Sequence, residues 1–332
     1  MEITQIVLAS RPKGNPSKEN FRFEKVELPA LQDGQVLLEP HFFSVDPYMR
    51  GRMNDAKSYT PPFQVDAPLE GGVVAKVLES RSEALQPGDV VLGALPWATQ
   101  SIAEAKKLQK IDTSLAPASY YLGILGMPGL TAYFGLLDIG QPKEGETVVV
   151  SGAAGAVGMV VGQIAKLKGC RVVGLAGSDE KVELLKKEFG YDEVINYKTT
   201  QDLRADLQAA CPNGVDVYFD NVGGEITDAV ISLINFHARL AICGQIAHYN
   251  DEKPQQGPRF LPLILTRSAL IKGFIVSNYH ARFPEGMQQL GTWVKEGKLH
   301  YQETIVEGFD QLPEAFLGLF TGQNQGKMLV KV

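Results

Sequence analysis

The stretch VVVSGAAGAVG, residues 148–158, decides the fold, because a β-branched run leads through small residues into an apolar helix. Ala153, Gly155 and Gly158 fill the three places of a GxGxxG pattern, with alanine in the first place. Such a turn brings the backbone close to a pyrophosphate, and the helix that follows offers its free N–H groups. The residues predicted to bind the phosphates of a dinucleotide are Gly155, Ala156, Val157 and Gly158.

Strands and helices alternate after this turn. An apolar helix ends at Gly169, and the next strand covers Arg171 to Leu175, followed by a helix and a short strand at residues 194–196. Further elements are predicted as a strand at Val215 to Phe219, a helix at about Ile226 to Ile234 and a strand at Arg239 to Cys243. Apolar strands that alternate with helices form a parallel sheet covered on both faces. We therefore expect an α/β fold with a doubly wound Rossmann domain.

The end of the second strand indicates which dinucleotide binds. An acidic residue about 20 residues after the glycines would hold the ribose of NAD, but Ala176 and Gly177 occupy this position. Lys181 is placed to reach a 2′-phosphate, and Tyr197 with Lys198 lies near the same adenosine end. The alternative for each lysine is a solvated surface charge. Without a competing carboxylate, NADP is favoured over NAD.

Composition excludes several other classes of protein. A chain of 332 residues is too long for one core and suggests two domains. Its net charge of -6 and its lack of a basic cluster argue against nucleic acid as a partner. No apolar run approaches the roughly 20 residues of a membrane span. The three cysteines suggest no disulfide framework, so a cytoplasmic location is expected.

The first 125 residues have a different texture. Short strands are predicted at residues 35–39, 71–78 and 90–92, and proline and glycine interrupt the segments between them. This pattern is typical of a compact β domain. The tail, residues 326–332, is again strand-like and is expected to return to that domain. The predicted division is residues 1–125 with 300–332 as the catalytic domain and 126–299 as the nucleotide domain, with the active site between them.

Several longer motifs occur in a fixed order and carry a family resemblance. They are SVDPYMRGRM at 44–53, GMPGLTAY at 126–133, FDNVGG at 219–224 and CGQIAHYN at 243–250. Over essentially the whole chain the sequence resembles the zinc-independent medium-chain dehydrogenase/reductases, which include prostaglandin reductases, leukotriene hydroxydehydrogenases, alkenal double-bond reductases and bacterial curcumin reductases. The resemblance implies a GroES-like, β-barrel-type catalytic domain and NADPH-dependent reduction of α,β-unsaturated aldehydes and ketones at the C=C bond.

The distribution of cysteine and histidine supports chemistry without a metal. The first 169 residues contain no cysteine, and His41 is the only histidine before His237. A catalytic zinc needs three protein ligands, so the oxygen of the substrate is expected to be polarised by hydrogen-bond donors instead. Hydride addition to the β carbon of an enone fits this requirement, because the charge develops on the enolate oxygen.

Two tyrosines are candidates for that chemistry. Tyr249 lies in the loop after the Arg239 to Cys243 strand, where it would donate to the substrate or orient the nicotinamide ribose. The alternative is a loop tyrosine that covers the sheet edge. Tyr48 is the candidate for substrate binding, and its alternative is a packed tyrosine in a turn set by Pro47.

The resemblance implies further contacts with the cofactor, motif by motif. Lys181 and Tyr197 would bind its adenosine phosphate end, and Asn221 its nicotinamide side, although asparagine also suits a turn, as it does at Asn324. The full set implied for the cofactor is Gly155, Ala156, Val157, Gly158, Lys181, Tyr197, Asn221, Cys243, Gly244, Tyr249, Phe274, Ile275, Val276 and Asn324.

Two other functions stay open. Quinones are also conjugated acceptors, so a quinone oxidoreductase on the same scaffold is the first alternative. The second is a non-catalytic protein that binds NADPH as a sensor or structural ligand. A homodimer is expected, since relatives are often dimers.

Overall fold

The computed structural model describes residues 1–332, and its regular elements alternate between strands and helices along most of the chain. The strands are β1 (Glu2–Leu8), β2 (Phe21–Glu27), β3 (Gln35–Ser44), β4 (Glu70–Ser80), β5 (Val90–Pro96), β6 (Ser101–Glu104), β7 (Gln109–Lys110), β8 (Thr147–Val150), β9 (Arg171–Ala176), β10 (Glu193–Asn196), β11 (Val215–Asp220), β12 (Ile234–Ile242), β13 (Leu270–Gly273), β14 (Glu303–Glu307) and β15 (Lys327–Lys331).

The α-helices are shorter than a bilayer is thick. They are α1 (Met49–Arg52), α2 (Met127–Phe134), α3 (Gly158–Leu167), α4 (Asp179–Glu188), α5 (Leu203–Ala210), α6 (Gly224–Ile231), α7 (Leu261–Thr266), α8 (Phe283–Lys295) and α9 (Leu312–Thr321). None of them combines the length and apolar character that crossing a membrane requires.

One compact unit contains residues 124–302 and 325–327. Its six strands form a parallel sheet in the order β10-β9-β8-β11-β12-β13. The strand order reverses between β8 and β11, and open α/β sheets bind their ligands outside the carboxyl ends of the strands at such a point. The predicted α/β class with a Rossmann sheet is confirmed, and the turn at residues 151–157 lies at this reversal.

Two predicted boundaries in this sheet are wrong: the end of one helix, and the start of the next strand, which is predicted at Arg239 and lies at Ile234. The helix expected up to Ile234 ends at Ile231, and Ile234 instead begins β12, where it pairs with Val215. Ile234 is buried, so it contributes to the apolar pattern equally well as a helical or a strand residue. A short apolar run therefore does not tell the two apart.

Charged groups hold the amino ends of the central strands. At the start of β11, Asp216 accepts a hydrogen bond from the backbone N–H of Thr147 at 2.8 Å and another from Asn235 Nδ2 at 2.8 Å. Arg239 of β12 forms an ion pair with Glu146, its Nη1 lying 3.1 Å from Glu146 Oε1. These contacts join the first residues of β8, β11 and β12.

A single tyrosine fills the space between α3 and β9. A Cβ atom built on Gly162 would lie 2.2 Å from Cζ of Tyr191, and one on Gly174 would lie 2.8 Å from its Cδ1. The Tyr191 hydroxyl donates to the carbonyl oxygen of Gly158 at 2.8 Å. The ring therefore needs two glycines around it, and its hydroxyl fixes the first residue of α3.

The other compact unit contains residues 1–123, 303–324 and 328–332. Its main sheet has the order β14-β15-β3-β4-β5-β7, with β6 also paired to β3, while β1 and β2 form a separate pair. The tail strand β15 pairs with β3, as expected from the sequence. The strand predicted at residues 35–39 continues through Pro40 to Ser44, with a register shift between Pro40 and Phe42, where proline lacks an N–H donor.

Candidate functional site

The turn after β8 has the geometry of a phosphate cradle. A Cβ atom on Gly158 would lie 2.4 Å from the carbonyl oxygen of Gly152 and 2.7 Å from Cα of Ala153, so no larger residue fits there. Gly152 has φ 58°, which favours glycine. Helix α3 begins at Gly158, directly after Val157. The N–H groups of Met159 and Val160 donate to the carbonyl oxygens of Gly155 and Val157 at 3.1 Å, so this turn offers a pyrophosphate the positive end of the α3 dipole and the close approach of its glycine backbone.

A second glycine segment packs on this turn. The N–H of Gly326 donates to the carbonyl oxygen of Ala154 at 2.8 Å, and Gly326 pairs with Gly155 in an isolated parallel bridge. Asn324 and Gly326 belong to the segment GQNQGK at residues 322–327, and this segment contacts the turn at Gly326, two residues after Asn324. A cofactor contact by Asn324 itself stays a prediction.

The end of β9 brings two lysines and a tyrosine together. A Cβ atom on Gly177 would lie 2.7 Å from the Tyr197 hydroxyl oxygen and 3.2 Å from Cε of Lys198. Ser178 caps α4 as expected and accepts from the backbone N–H of Lys181 at 3.4 Å. Burial and then the positive charge of Lys198 lower the pKa of Lys181. Like charges held this close favour an anion between them, and a phosphate fits that requirement.

The loops after β11 and β12 lie beside the turn. Asn221 donates from its backbone N–H to Ser151 Oγ at 2.9 Å and from Nδ2 to the Ser151 carbonyl at 2.8 Å. Its side chain thus ties the loop after β11 to the turn. The N–H groups of Cys243 and Gly244 donate to the carbonyl oxygen of Asp220 at 2.8 and 3.0 Å. Direct contacts of these residues with the nicotinamide half stay predictions.

Tyr249 folds back over the loop that follows β12. Its hydroxyl oxygen accepts a hydrogen bond from the backbone N–H of Gln245 at 3.4 Å and lies 3.4 Å from where a Cβ on Gly244 would be. Burial raises the pKa of Tyr249, so the hydroxyl is protonated and uncharged near neutral pH. Because this bond uses the oxygen as acceptor, the O–H proton is left to be donated elsewhere.

Phe274 belongs to the core of the nucleotide unit. Its side chain is only 7% exposed, and its ring packs edge-on against Phe219 with centroids 6.2 Å apart. A Cβ on Gly135 would lie 2.4 Å from Cζ of Phe274, so this glycine makes room for the ring. A cofactor contact by Phe274 would therefore use its backbone, while Ile275 and Val276 are partly exposed.

Tyr48 lies in the other unit, directly before α1. Its ring packs against the core of that unit, in agreement with the packed-turn alternative. Burial and then the Asp46 carboxylate raise the pKa of Tyr48, and Arg52 opposes them. The hydroxyl is therefore neutral, and its contact with substrate stays a prediction.

Sequence reasoning missed two residues of this site, Asp220 and Gln245. Both lie inside motifs that the sequence singles out, FDNVGG and CGQIAHYN. Asp220 is fully buried and receives a hydrogen bond from Gln245 Nε2 at 2.8 Å. A carboxylate that ends an apolar strand is itself a signal, because burial of such a group requires several donors.

Comparisons with known proteins agree with this geometry. Residues 4–111 match the family described as the N-terminal domain of oxidoreductase, and residues 156–292 match the zinc-binding dehydrogenase family. YfmJ of Bacillus subtilis is 60% identical over 330 residues, which is 99% of this chain and 97% of YfmJ. The NADPH-dependent curcumin reductase of Escherichia coli is 46% identical over 331 residues, 98% of this chain and 96% of its own.

A solved structure shows the same fold. CurA from Vibrio vulnificus in complex with NADPH superposes with a TM-score of 0.93 at 43% identity, covering 99% of each chain. In the present structure, no three His, Cys, Asp or Glu side chains are grouped to hold a metal ion, although the matched family is described as zinc-binding. The chain therefore belongs to the medium-chain dehydrogenase/reductases, in the branch of NADP-dependent oxidoreductases that includes prostaglandin reductases, 2-alkenal reductases and curcumin reductases.

Proposed function

We propose that this chain reduces the C=C bond of α,β-unsaturated aldehydes and ketones with NADPH. The observation that carries the proposal is the uncharged Tyr249 hydroxyl at the carboxyl edge of a sheet whose turn fits a dinucleotide. The relatives support the same class, since their names describe curcumin, prostaglandin and alkenal reductases.

The geometry of the site supports an assignment of residues to the parts of NADPH. The turn from Gly155 to Gly158 and the start of α3 would bind the pyrophosphate, and Lys181, Lys198 and Tyr197 the 2′-phosphate. When bound, NADPH supplies a hydride to the β carbon of the alkene. The nicotinamide half is proposed to lie along Asn221, Cys243, Gly244, Phe274, Ile275 and Val276, with Asn324 reaching it from the C-terminal segment.

Tyr249 would donate a hydrogen bond to the carbonyl oxygen of the substrate. Negative charge builds on that oxygen as the β carbon is reduced, so a fixed donor stabilises the transition state more than the ground state. A neutral donor needs no counter-ion, and its raised pKa keeps the proton on the tyrosine. The α carbon then takes its proton from solvent or from a side chain. Tyr48 is proposed to contact the substrate.

The decisive experiment is an NADPH-oxidation assay over enals, enones, curcumin-like diketones and quinones, with each product identified. We expect one saturated carbonyl product per NADPH oxidised. A hydroquinone with no saturated carbonyl would replace this proposal by a quinone oxidoreductase. Tight binding of NADPH without turnover over the whole panel would instead support a sensor or structural role for the cofactor.

We also propose that the chain forms a homodimer through the free edge of the parallel sheet. Strand β13 pairs only with β12; Phe236 of β12 is 63% exposed, and Leu261 and Leu265 of α7, the helix that precedes β13 in the chain, are 71% and 79% exposed. An unpaired edge with exposed apolar side chains is typical of a surface that another chain covers. Sedimentation should give a dimer for the wild type and a monomer for Leu265→Lys; a monomeric wild type at micromolar concentration contradicts the proposal.

The proposed reaction needs no metal, and the proposed location is the cytoplasm. Support comes from the cysteines: the first is Cys170, all three are free, and burial raises the pKa of Cys170 to about 11. A thiol held in its neutral form is a poor metal ligand. Elemental analysis of the purified enzyme should find less than about one zinc per ten chains, and dialysis against a chelator should leave turnover unchanged. Stoichiometric zinc would contradict this expectation.

A further inference from the structure

Asp220, the last residue of β11, is surrounded by hydrogen-bond donors. Its side chain is fully buried, and six donors lie within 3.0 Å of its two oxygens. Four face Oδ1: Ser151 Oγ, Tyr218 Oη and the backbone N–H groups of Val222 and Gly223. Two face Oδ2: Thr227 Oγ1 at 2.7 Å and Gln245 Nε2 at 2.8 Å.

Four of these six donors come from three separate loops at the carboxyl edge of the sheet, while Tyr218 lies in β11 and Thr227 in α6. Ser151 begins the turn after β8, Val222 and Gly223 form the loop after β11, and Gln245 lies in the loop after β12. Gln245 also donates to the Gly244 carbonyl at 2.8 Å, and its backbone N–H bonds to Tyr249. One carboxylate thus connects the turn that fits the pyrophosphate with the loop that carries Tyr249.

The carboxylate has no basic partner. No lysine, arginine or histidine forms an ion pair with Asp220, so neutral donors alone compensate its charge. When a buried charge is stabilised only by hydrogen bonds, the loss of one donor has a large cost in free energy. These bonds connect the three loops to one another, and loops that are held in place before a ligand binds lower the ordering cost of binding.

We propose that Asp220 is a positioning residue that presets these three loops for NADPH. This inference rests on the proposed function, since it assumes that NADPH is the ligand of the site. Asp220 does not need to touch the cofactor. It acts through Ser151 on the turn and through Gln245 on the loop that precedes Tyr249.

Asp220→Asn breaks this arrangement on one side only. The asparagine oxygen replaces Oδ1 and still accepts from Ser151, Val222 and Gly223. Its amide nitrogen then replaces Oδ2 and faces the amide nitrogen of Gln245, so the present bond is lost, and turning the Gln245 amide over to restore it breaks the bond from Gln245 to the Gly244 carbonyl. The loop at residues 243–249 should be released while the turn at 151–158 stays in place. In Asp220→Ala both should be released.

The test measures NADPH dissociation constants by the fluorescence of the bound cofactor, together with hydrogen exchange of the ligand-free enzyme. For Asp220→Asn we expect a dissociation constant raised roughly 10-fold to 100-fold. Exchange should be faster at residues 243–249 and unchanged at 151–158. Gln245→Met should also weaken NADPH, and its effect should be smaller in the Asp220→Asn background than in wild type, because there the bond to residue 220 is already absent and only the bond to the Gly244 carbonyl can be lost.

Asp216 supplies a matched control at the other end of the same strand. Its carboxylate also bridges neighbouring strands, through Thr147 and Asn235, but at the amino edge. Asp216→Asn should lower the melting temperature and keep the NADPH constant within about twofold, which shows how much affinity a loss of stability alone removes. A merely structural Asp220 would give both variants the same loss of affinity for the same loss of stability.

Three results would overturn the inference. They are an unchanged NADPH constant in Asp220→Asn, equal losses of affinity in Asp216→Asn and Asp220→Asn, and additive losses in the double variant with Gln245→Met. If Asp220→Asn fails to fold, Gln245→Met and Ser151→Ala carry the same test, each removing one of the connections. A wild-type enzyme that binds no NADPH would instead overturn the proposed function, so the two failures are distinct.

Discussion

Buried charges are compensated in different ways at the two ends of the parallel sheet. At the amino end Arg239 and Glu146 neutralise each other, with side chains 16% and 19% exposed. At the carboxyl end Asp220 is buried without a cation and gathers neutral donors from three loops. An ion pair neutralises the charges at the amino end, whereas the carboxyl end contains the start of α3 and the positive charges of Lys181 and Lys198, which lie close enough that, after burial, Lys198 lowers the pKa of Lys181.

The difference separates stability from binding. Contacts at the amino end are complete within the protein, so they contribute to stability alone. Groups at the carboxyl end suit a bound anion, because the start of α3 and the two lysines near β9, Lys181 and Lys198, create a positive potential there. Variants at the carboxyl end should therefore change cofactor affinity or turnover, and variants at the amino end should change melting only.

Gly158→Val should have the largest effect. Any Cβ at this position meets backbone atoms of Gly152 and Ala153, so the turn has to open. We expect NADPH affinity to fall by about 10³-fold, measured by cofactor fluorescence. Gly291→Ala is the control, since its Cβ would meet only Leu125 Cδ2 at 3.9 Å. Tight NADPH binding by Gly158→Val would show that the turn does not hold the pyrophosphate.

Tyr249→Phe should lower the turnover number by about 10²-fold, because one donor to the developing enolate oxygen is removed. Folding should be nearly unchanged, as checked by melting. Fluorescence titration separates the two roles of Tyr249, because a loss of NADPH affinity would place the hydroxyl on the nicotinamide ribose. Tyr121→Phe removes a different buried hydroxyl bond, to the Asp112 carbonyl at 2.8 Å, and should leave turnover as it is. A turnover number within twofold of wild type would remove Tyr249 from the chemistry.

Lys181→Ala should weaken NADPH by about 10-fold to 30-fold and leave NADH almost unaffected, because only NADPH carries the 2′-phosphate. The measurement is the ratio of the two dissociation constants. Lys186→Ala is a control in the same helix, where Lys186 pairs with Glu193 at 2.8 Å instead of facing Lys198. Equal losses for both cofactors would refute the assignment of Lys181.

Glu146→Gln tests the ion pair at the amino end of the sheet and should have the smallest effect on function. Burial acts to raise the pKa of Glu146, but Arg239 and the Lys143 N–H outweigh it and hold the pKa below its usual 4.5. The stabilisation is therefore present above pH 4.5 and is lost as the pH falls through the lower folded value.

At neutral pH, Glu146→Gln should reduce the free energy of unfolding by about 1–2 kcal/mol, and the difference from wild type should shrink in acid. Denaturant unfolding across this pH range measures it. NADPH affinity should not change. Glu183→Gln, which breaks an exposed pair with Lys187, should cost less. A pH-independent difference between Glu146→Gln and wild type would contradict the electrostatic account.

Local features of this fold are predictable from sequence, because their causes lie within a few residues. The close approach at Gly158, the cap at Ser178 and the end of α3 two residues before Gly169 each depend on neighbouring backbone atoms. The strands of the β domain are less predictable from sequence. Strands β1 and β2 carry no clear signal, and β3 continues through Pro40, a residue type that normally ends a strand.

The role of Asp220 was out of reach of sequence reasoning for a different physical reason. Its donors include Ser151 and Gln245, which are 69 and 25 residues away along the chain. No local propensity brings such residues together, since the sheet order alone decides which strand ends are neighbours. The lysine pair is intermediate, because Lys181 was expected near the phosphate while its proximity to Lys198 follows from the packing of β10 on β9.

The Tyr191 ring has a consequence for anyone who redesigns the cofactor preference of this enzyme. The Tyr191 ring fills the space beside Gly162 and Gly174, and its hydroxyl donates to the carbonyl oxygen of Gly158, the first residue of α3. Randomising any one of the three alone would yield mostly unfolded clones. Libraries should therefore vary the three positions together, combining a smaller side chain at position 191 with larger residues at positions 162 and 174, or leave all three unchanged.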